Sequence, residues 1–187
     1  LFQQSIAVLE KLGCKIEEVS IPMFLHARKL HPVISLSESS FAHHDTYLKY
    51  RDLYGVEPQR RLDLGLLVTP SDYLVAQQAR EVLKRQTELA LEGVDFLVTP
   101  TVPTRAPKIS TPMMLVGDQE VNSTPLLAIY TCPFNDSGHP APVCIRHFRH
   151  RKGGASRTIR VADAHLYAHR DHGLGGSCES LGHHRRL

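Results

Sequence analysis

Two segments of this chain show the same succession of a helical stripe, a glycine and a short apolar strand. The first stripe ends at Gly13, and residues 15–21 follow as a predicted strand. The second ends at Gly93, and residues 94–98 follow as a strand that leads into a proline-rich loop. Glycine just after the last helical residue favours a left-handed C-cap. This alternation of helices and strands predicts an α/β fold.

The longest predicted helix begins at Ser71, a residue type that caps helix N-termini. Six of its residues fall on one helical face: Val75, Ala79, Val82, Leu83, Gln86 and Ala90. Residues 33–50 and 59–67 are predicted as two further helices, and residues 121–129 fit either a strand or a helix.

The composition of the chain changes near residue 143. The first 143 residues hold 13 basic and 16 acidic side chains, a balance of −3, whereas the last 44 hold nine basic and three acidic ones, a balance of +6. All twelve prolines lie before residue 143, and seven of the twelve histidines lie after it. Residues 1–141 are therefore interpreted as part of an α/β domain, and residues 142–187 as a basic, His-rich tail.

The composition also excludes some classes of protein. A hydrophobic fraction of 42% rules out a highly charged disordered chain. No stretch approaches the roughly 20 apolar residues that a membrane span needs, and no secretory signal is recognisable. We expect a cytoplasmic protein with no membrane partner. The four cysteines are widely spaced and are predicted to be reduced thiols, with Cys132 in a packing role and not a nucleophile.

Several motifs occur in the order typical of amidase signature enzymes. Residues 94–103 (VDFLVTPTVP) resemble the strand and loop near the end of that family's domain. Residues 60–65 (RRLDLG) resemble its Arg-Arg-Ile-x-x-Gly segment, and residues 130–140 its Thr-x-Pro-x-Asn-x-x-Gly-x-Pro motif. The family includes bacterial amidases and the A subunit of the aminoacyl-tRNA amidotransferase. The resemblance implies that residues 1–141 are the C-terminal part of a mixed-sheet α/β domain that cleaves carbon–nitrogen amide bonds.

The catalytic machinery that the resemblance implies is absent from the sequence. The family uses a serine nucleophile activated through a second serine and a lysine, with a Gly/Ser-rich loop that stabilises the oxyanion. No Gly-Gly-Ser-Ser-Gly-type segment of the kind that forms this loop occurs in the chain, and the adjacent pair Ser39 and Ser40 has no flanking glycine and lies in a predicted helix. We therefore predict no catalytic residue, an inactive fragment that lacks the N-terminal half of its domain, and a small-molecule amide as substrate of the full-length enzyme.

Arg61 is the candidate substrate-binding residue. In the amidotransferase branch, an arginine of this segment is expected to bind a substrate carboxylate, a role that suits a planar and permanently charged guanidinium. The alternative is a solvated or structurally paired arginine, and Arg60 shares this ambiguity. Ala128 stands where that branch has an acid that would pair with a substrate amino group. Glutamine as ammonia donor is therefore disfavoured, and a general amidase is favoured.

After Pro140 the sequence departs from the family pattern. The family continues into a small-residue strand, a Gly-Leu-Pro segment and a final helix, none of which is found in residues 142–187. The codons for parts of this stretch, read one base later, permit residues much closer to the family pattern. We therefore expect that residues 142–187 are translated out of frame and form a disordered or irregular tail.

A second hypothesis gives the tail a function of its own. Two sets of three residues have spacings compatible with zinc ligation: Cys144, His147 and His150, and His165, His169 and His172. The excess of basic residues suits contacts with nucleic acid phosphates. No further Cys or His pair completes a standard zinc site, and no nucleic-acid-binding fold is recognisable. A metal- or nucleic-acid-binding module is therefore the alternative function, nucleic acid is disfavoured as a partner, and the prediction is no metal and no cofactor.

Overall fold

The computed structural model describes residues 2–104, 106–107, 113–116, 118–142 and 158–162. These residues contain six α-helices: α1 (Phe2–Lys11), α2 (Phe24–Ala42), α3 (His44–Tyr50), α4 (Val56–Leu66), α5 (Pro70–Leu91) and α6 (Cys132–Ser137). They also contain five strands: β1 (Lys15–Val19), β2 (Phe96–Val98), β3 (Met113–Val116), β4 (Gln119–Asn122) and β5 (Thr158–Ala162). Arg51–Leu53 and Thr124–Leu126 form short 3₁₀ turns.

The described strands form two sheets. The larger has the order β1-β5-β2, and all of its strands are parallel. The smaller is the antiparallel pair of β3 and β4, in which Met113 lies opposite Asn122. Parallel and antiparallel pairs together with flanking helices confirm the predicted mixed α/β class. Gly13 and Gly93 adopt left-handed backbone angles, with φ of 87° and 71°, at the ends of α1 and α5 as predicted.

Strand β5 lies within residues 142–187, the segment that was predicted to be a disordered or irregular tail. Ile159 and Val161 are buried against Ile6 and Leu9 of α1. The strand fills the position between β1 and β2, where both of its edges find hydrogen-bonding partners. The prediction relied on the average charge and glycine content of the tail, which conceals one short β-branched stretch. The rest of the tail after residue 142 lies outside the described residues.

The main core is formed by helices α2, α5 and α6. Helix α2 contributes Phe24, Ala27, Leu30 and Ile34, all nearly inaccessible to solvent, and the ring of Phe24 meets that of Phe134 edge to face at 5.4 Å. Helix α2 begins nine residues earlier than predicted and continues through Pro32. Proline removes one helical hydrogen bond, but the burial of the first turns against the core offsets that loss.

Helix α5 begins at Pro70, and its N-cap is Thr69 rather than the predicted Ser71. Thr69 Oγ1 accepts a hydrogen bond from the backbone N–H of Asp72 at 3.1 Å, and the Asp72 carboxylate accepts one from the N–H of Thr69 at 3.2 Å. This reciprocal capping box satisfies two backbone donors that the helix itself leaves free. Proline at the first helical position is also favourable, because its missing N–H would have no partner there.

The buried face of α5 differs from the predicted face. The fully buried residues are Ala76, Leu83, Thr87 and Ala90, whereas Val75 and Val82 are exposed. Helix α5 therefore has two neighbouring apolar stripes, and only one of them is covered by the described residues. Periodicity alone cannot choose between two such stripes, because the choice depends on which of them the rest of the fold covers.

Candidate functional site

Helix α4 carries the candidate residue Arg61, and its close packing on α2 fixes the position of that residue. Leu62 and Gly65 of α4 are buried, and Ser40 Oγ of α2 donates a hydrogen bond to the Leu62 carbonyl at 2.8 Å. A Cβ atom at Gly65 would overlap Ser40 Oγ and the carbonyl oxygen of Leu36. Only glycine therefore allows α4 to approach α2 this closely.

Arg61 lies one helical turn before Gly65, and its side chain is exposed. Among the residues that the structure describes, Arg61 makes no hydrogen bond and no salt bridge, including with Glu57 one turn earlier. The predicted alternative of a structurally paired arginine therefore finds no partner in this part of the chain. Arg60 points to a different flank, where it lines a shallow groove of about 310 Å³ with Val56, Gln59, Asp63, Leu64 and Leu67.

Asp63, two residues after Arg61, is bound by a different arginine, Arg51. Arg51 Nη2 donates to Asp63 Oδ2 at 2.7 Å, and the Tyr47 hydroxyl donates to Asp63 Oδ1 at 2.7 Å. Arg51 Nε donates to the Tyr47 oxygen at 3.0 Å, so Tyr47, Arg51 and Asp63 form a hydrogen-bonded triad. The hydrogen bonds from Tyr47 and Arg51 lower the pKa of Asp63, and desolvation followed by the bond to Asp63 raises the pKa of Tyr47. Asp63 is thus ionised and occupied at neutral pH.

The segment with the Thr-x-Pro-x-Asn-x-x-Gly-x-Pro pattern forms α6, and a buried carboxylate anchors it. His31 Nδ1 lies 2.9 Å from Asp136 Oδ1, and Arg80 Nε donates to the Asp136 carbonyl at 2.6 Å. Asp136 is only 4% exposed, and its Oδ2 has no hydrogen-bond partner among the described residues. Gly138 ends the helix with a φ of 74°. Sequence reasoning missed this cluster, because His31 and Asp136 are 105 positions apart and Asp136 occupies a position that the motif of residues 130–140 leaves unspecified.

Two possible nucleophiles have structural roles. Ser40 is buried and hydrogen-bonded to α4, as expected for a polar position on a helix, while Ser39 is exposed on the same helix. Cys132 is 2% exposed, and burial, followed by the nearby Asp136 carboxylate, raises the pKa of its thiol to about 12. A thiol with such a pKa is not a thiolate at neutral pH and is not a competent nucleophile. This agrees with the predicted packing role.

Ala128 lies partly buried against the main core, and its carbonyl accepts hydrogen bonds from the N–H groups of Thr131 and Cys132 at 3.0 and 2.8 Å. The position where the amidotransferase branch has an acid therefore presents only a methyl group. The nearby acid Asp136 is held by His31.

The described part of the chain contains no group of three His, Cys, Asp or Glu side chains that could hold a metal ion. The six Cys and His residues of the alternative tail function lie outside the described residues. No helix within the described ranges combines the length and the apolarity needed to cross a membrane.

Comparison with known proteins gives one consistent family. A family model described as Amidase matches residues 1–153. The A subunit of the glutamyl-tRNA(Gln) amidotransferase from Symbiobacterium thermophilum is 33% identical over 168 residues, covering 74% of this chain and 32% of that protein. An amidase of Pseudomonas putida is 35% identical over 102 residues, covering 53% of this chain and 21% of that protein.

A solved amidase crystal structure shares the fold, with a TM-score of 0.66 and 25% sequence identity over 73% of this chain and 31% of that structure. The chain thus spans about a third or less of the length of these relatives. The family match over 1–153 together with the shared fold identifies this chain as a member of the amidase family.

Proposed function

We propose that this chain is the substrate-carboxylate-binding part of an enzyme that hydrolyses carbon–nitrogen amide bonds, and that Arg61 binds the carboxylate. The observation that carries the proposal is the exposed guanidinium of Arg61, which has no partner among the described residues while the neighbouring Asp63 is occupied by Arg51. A guanidinium can form two parallel hydrogen bonds to a carboxylate. The close packing of Gly65 on α2 holds α4, the helix that carries Arg61, in place.

The proposed chemistry is acyl transfer through a serine nucleophile, with a second serine and a lysine, on residues outside this chain. The serine oxygen attacks the amide carbonyl carbon, its proton passes through the second serine and the lysine to the leaving amine, and an ester forms. Water then cleaves the ester to release the carboxylic acid. In this scheme Arg61 binds and orients the substrate and does not transfer a proton. Because the two serines and the lysine lie outside this chain, the chain alone lacks activity.

The substrate class proposed is a small amide that bears a carboxylate but needs no recognised amino group. Ala128 offers a methyl group where the amidotransferase branch would hold an amino group, and Asp136 is buried against His31. Both features support a general amidase over a glutamine-dependent amidotransferase.

A single-polypeptide chimera tests this function. This chain replaces the matching region of the Pseudomonas putida amidase, and hydrolysis is measured for a pair of amides that differ only in one carboxylate. Arg61→Ala should raise KM for the carboxylate-bearing amide by about 10-fold to 100-fold, the cost of one charged hydrogen-bonding pair, and leave the neutral amide unchanged. Arg85→Ala, on the exposed side of α5, is the control. Equal effects of Arg61→Ala on both amides would refute the assignment.

We also propose that the amidase segment ends near residue 141 and that residues 142–187 are out of frame with it. The support is the change from a −3 to a +6 charge balance and the absence of the family's Gly-Leu-Pro segment from residues 142–187. Strand β5 is a short stretch of this segment with enough β-branched residues to occupy a strand position. Reading the gene one base later from codon 142 should restore a Gly-Leu-Pro segment and a terminal helix, and its failure to do so would contradict the proposal.

A further inference from the structure

A groove of about 360 Å³ lies between the C-terminal half of α2, the start of α3, the end of α4 and the start of α5. We call it the interhelical groove. Its apolar walls are formed by Phe41, Leu66, Val68 and Pro70. Phe41 is 86% exposed, so the groove is open to solvent. Its volume lies at the lower end of the range found for small-molecule sites.

Two serines of α2 line this groove, and both donate their hydrogens to carbonyl groups of the protein. Ser37 Oγ donates to the Val33 carbonyl at 2.7 Å, and Ser40 Oγ donates to the Leu62 carbonyl at 2.8 Å. A hydroxyl group has one hydrogen to donate and two lone pairs that accept. Towards a ligand in the groove, both serine oxygens therefore act only as acceptors.

The other two hydroxyl groups of the groove donate to carboxylates. Thr69 Oγ1 donates to Asp72 Oδ2 at 2.6 Å, and the Tyr73 hydroxyl donates to Glu38 Oε1 at 3.3 Å. All four lining hydroxyl groups have thus used their hydrogens. Among the described side chains that line the groove, only the imidazole of His44 can still offer a hydrogen. The groove therefore suits a ligand that donates hydrogen bonds.

The charges around the groove favour a cation. The carboxylates of Glu38 and Asp72 lie directly behind two of the hydroxyl groups, and none of the described residues that line the groove is a lysine or an arginine. Hydrogen bonds from Thr69 lower the pKa of Asp72, which is therefore ionised at neutral pH. The groove also lies at the negative, C-terminal end of α4. The N-terminal end of α5 is positive, but the Asp72 carboxylate in its capping box offsets that charge.

We propose that the interhelical groove binds an arylalkylammonium ion, with the primary ammonium group on the lining hydroxyl oxygens and the aromatic body on the apolar walls. An ammonium group has three hydrogens to donate and no lone pair, which matches oxygens that only accept. The rings of Phe41 and Tyr73 attract a cation through their π faces. Arg61 does not line the groove, so this site is separate from the proposed carboxylate site and does not depend on it.

Titration of the full 187-residue chain with 2-phenylethylammonium at neutral pH tests the site, with calorimetry as the readout. We expect saturable binding with a Kd of about 1 mM, an ordinary affinity for a ligand of this size. The comparison ligands are 2-phenylethanol and 3-phenylpropanoate, which keep the aromatic body and carry a neutral or a negative head group. Both should bind at least about tenfold more weakly, because the alcohol offers a single hydrogen and the carboxylate meets lone pairs and negative charge.

Two variants test whether the ammonium ion binds in this groove. Phe41→Ala removes an exposed wall, and Tyr73→Phe removes one acceptor, so each should weaken the binding of 2-phenylethylammonium by about threefold to tenfold. Leu53→Ala, at a position that is 82% exposed and outside the groove, is the control for the first variant. Tyr50→Phe, also outside the groove, is the control for the second. Far-UV circular dichroism verifies that each variant keeps its helices.

The inference is overturned if the chain shows no saturable binding, if the alcohol or the carboxylate binds as tightly as the ammonium ion, or if both groove variants bind like the parent. The titration is repeated with the chimera that tests Arg61. Binding by this chain but not by the chimera would show that the rest of the amidase domain covers the groove, which also overturns the site. Arg61→Ala should leave ammonium binding unchanged, so failure of this site and failure of the proposed function are distinguishable.

Discussion

His31 Nδ1 lies 2.9 Å from Asp136 Oδ1, and this contact joins helix α2 to helix α6. The histidine side chain is 28% exposed, whereas that of the aspartate is 4% exposed. The aspartate is thus the partner that depends on the contact, because it has no access to water that could replace the imidazole.

His31→Ala should destabilise the fold by about 1–3 kcal/mol, the cost of leaving a buried polar group without its partner. The measurement is the urea midpoint of unfolding. His26→Ala, a more accessible histidine of the same helix, is the control and should be close to neutral. The double variant His31→Ala, Asp136→Ala should cost less than the sum of the single changes. Equal midpoints for His31→Ala and His26→Ala would show that the contact contributes nothing.

Gly65→Ala should destabilise the packing of α4 on α2. Alanine is favoured over glycine inside a helix by about 1 kcal/mol, but overpacking costs about 1–3 kcal/mol, and one of the overlapping atoms is a backbone oxygen that cannot rotate away. Gly55→Ala, at the N-cap of the same helix, adds the same methyl group without overlap, since its nearest neighbour would be 3.7 Å from the new Cβ. A Gly65→Ala variant with a raised thermal midpoint would be inconsistent with the close approach.

Asp63→Asn should reduce the acid sensitivity of the fold. The pKa of Asp63 is lowered in the folded state by Tyr47 and Arg51, so the unfolded chain binds more protons at acid pH. Its contribution to stability is present above the unfolded pKa and is lost as the pH falls through the folded one. Denaturant unfolding between about pH 3 and pH 6 measures this, and Arg51→Gln should remove part of the same dependence. Some slope should persist, because the pKa values of Glu17 and Asp72 are lowered as well. If the free energy of unfolding of Asp63→Asn fell with decreasing pH as steeply as that of the parent chain, the role of the Tyr47–Arg51–Asp63 triad would be contradicted.

Ile159→Ala should destabilise the fold by about 2–5 kcal/mol if β5 is the central strand of the sheet, because the side chain is 4% exposed. Leu115→Ala truncates a side chain that is 73% exposed and should have little effect. Hydrogen exchange at residues 158–162 gives an independent measurement. Fast exchange there, together with an unchanged urea midpoint for Ile159→Ala, would place the strand outside the folded part.

The purified chain should not hydrolyse simple amides, because the Gly-Gly-Ser-Ser-Gly-type segment that carries the family's serine nucleophile does not occur in its sequence. Ammonia release is the measurement, with a parallel preparation from cells that lack the gene as background control. Turnover above that background that is lost in Ser40→Ala would show that a nucleophile within this chain had been overlooked.

The local features of this protein can be recognised from its amino-acid sequence. Gly13 and Gly93 end helices, strands follow them, and the ordered motifs around Arg61 and residues 130–140 identify the family. These features depend on backbone preferences and on residues close in the chain, so a local pattern is enough to recognise them.

The tertiary structure alone decided which side of α5 is buried, that Arg51 and not Arg61 binds Asp63, and that His31 meets Asp136. It also placed residues 158–162 between β1 and β2, although their surroundings in the sequence are basic and rich in glycine and histidine. Each of these outcomes joins segments that are distant in sequence or selects among equally apolar faces. Burial and pairing depend on what the remainder of the fold brings near, and no local propensity contains that information.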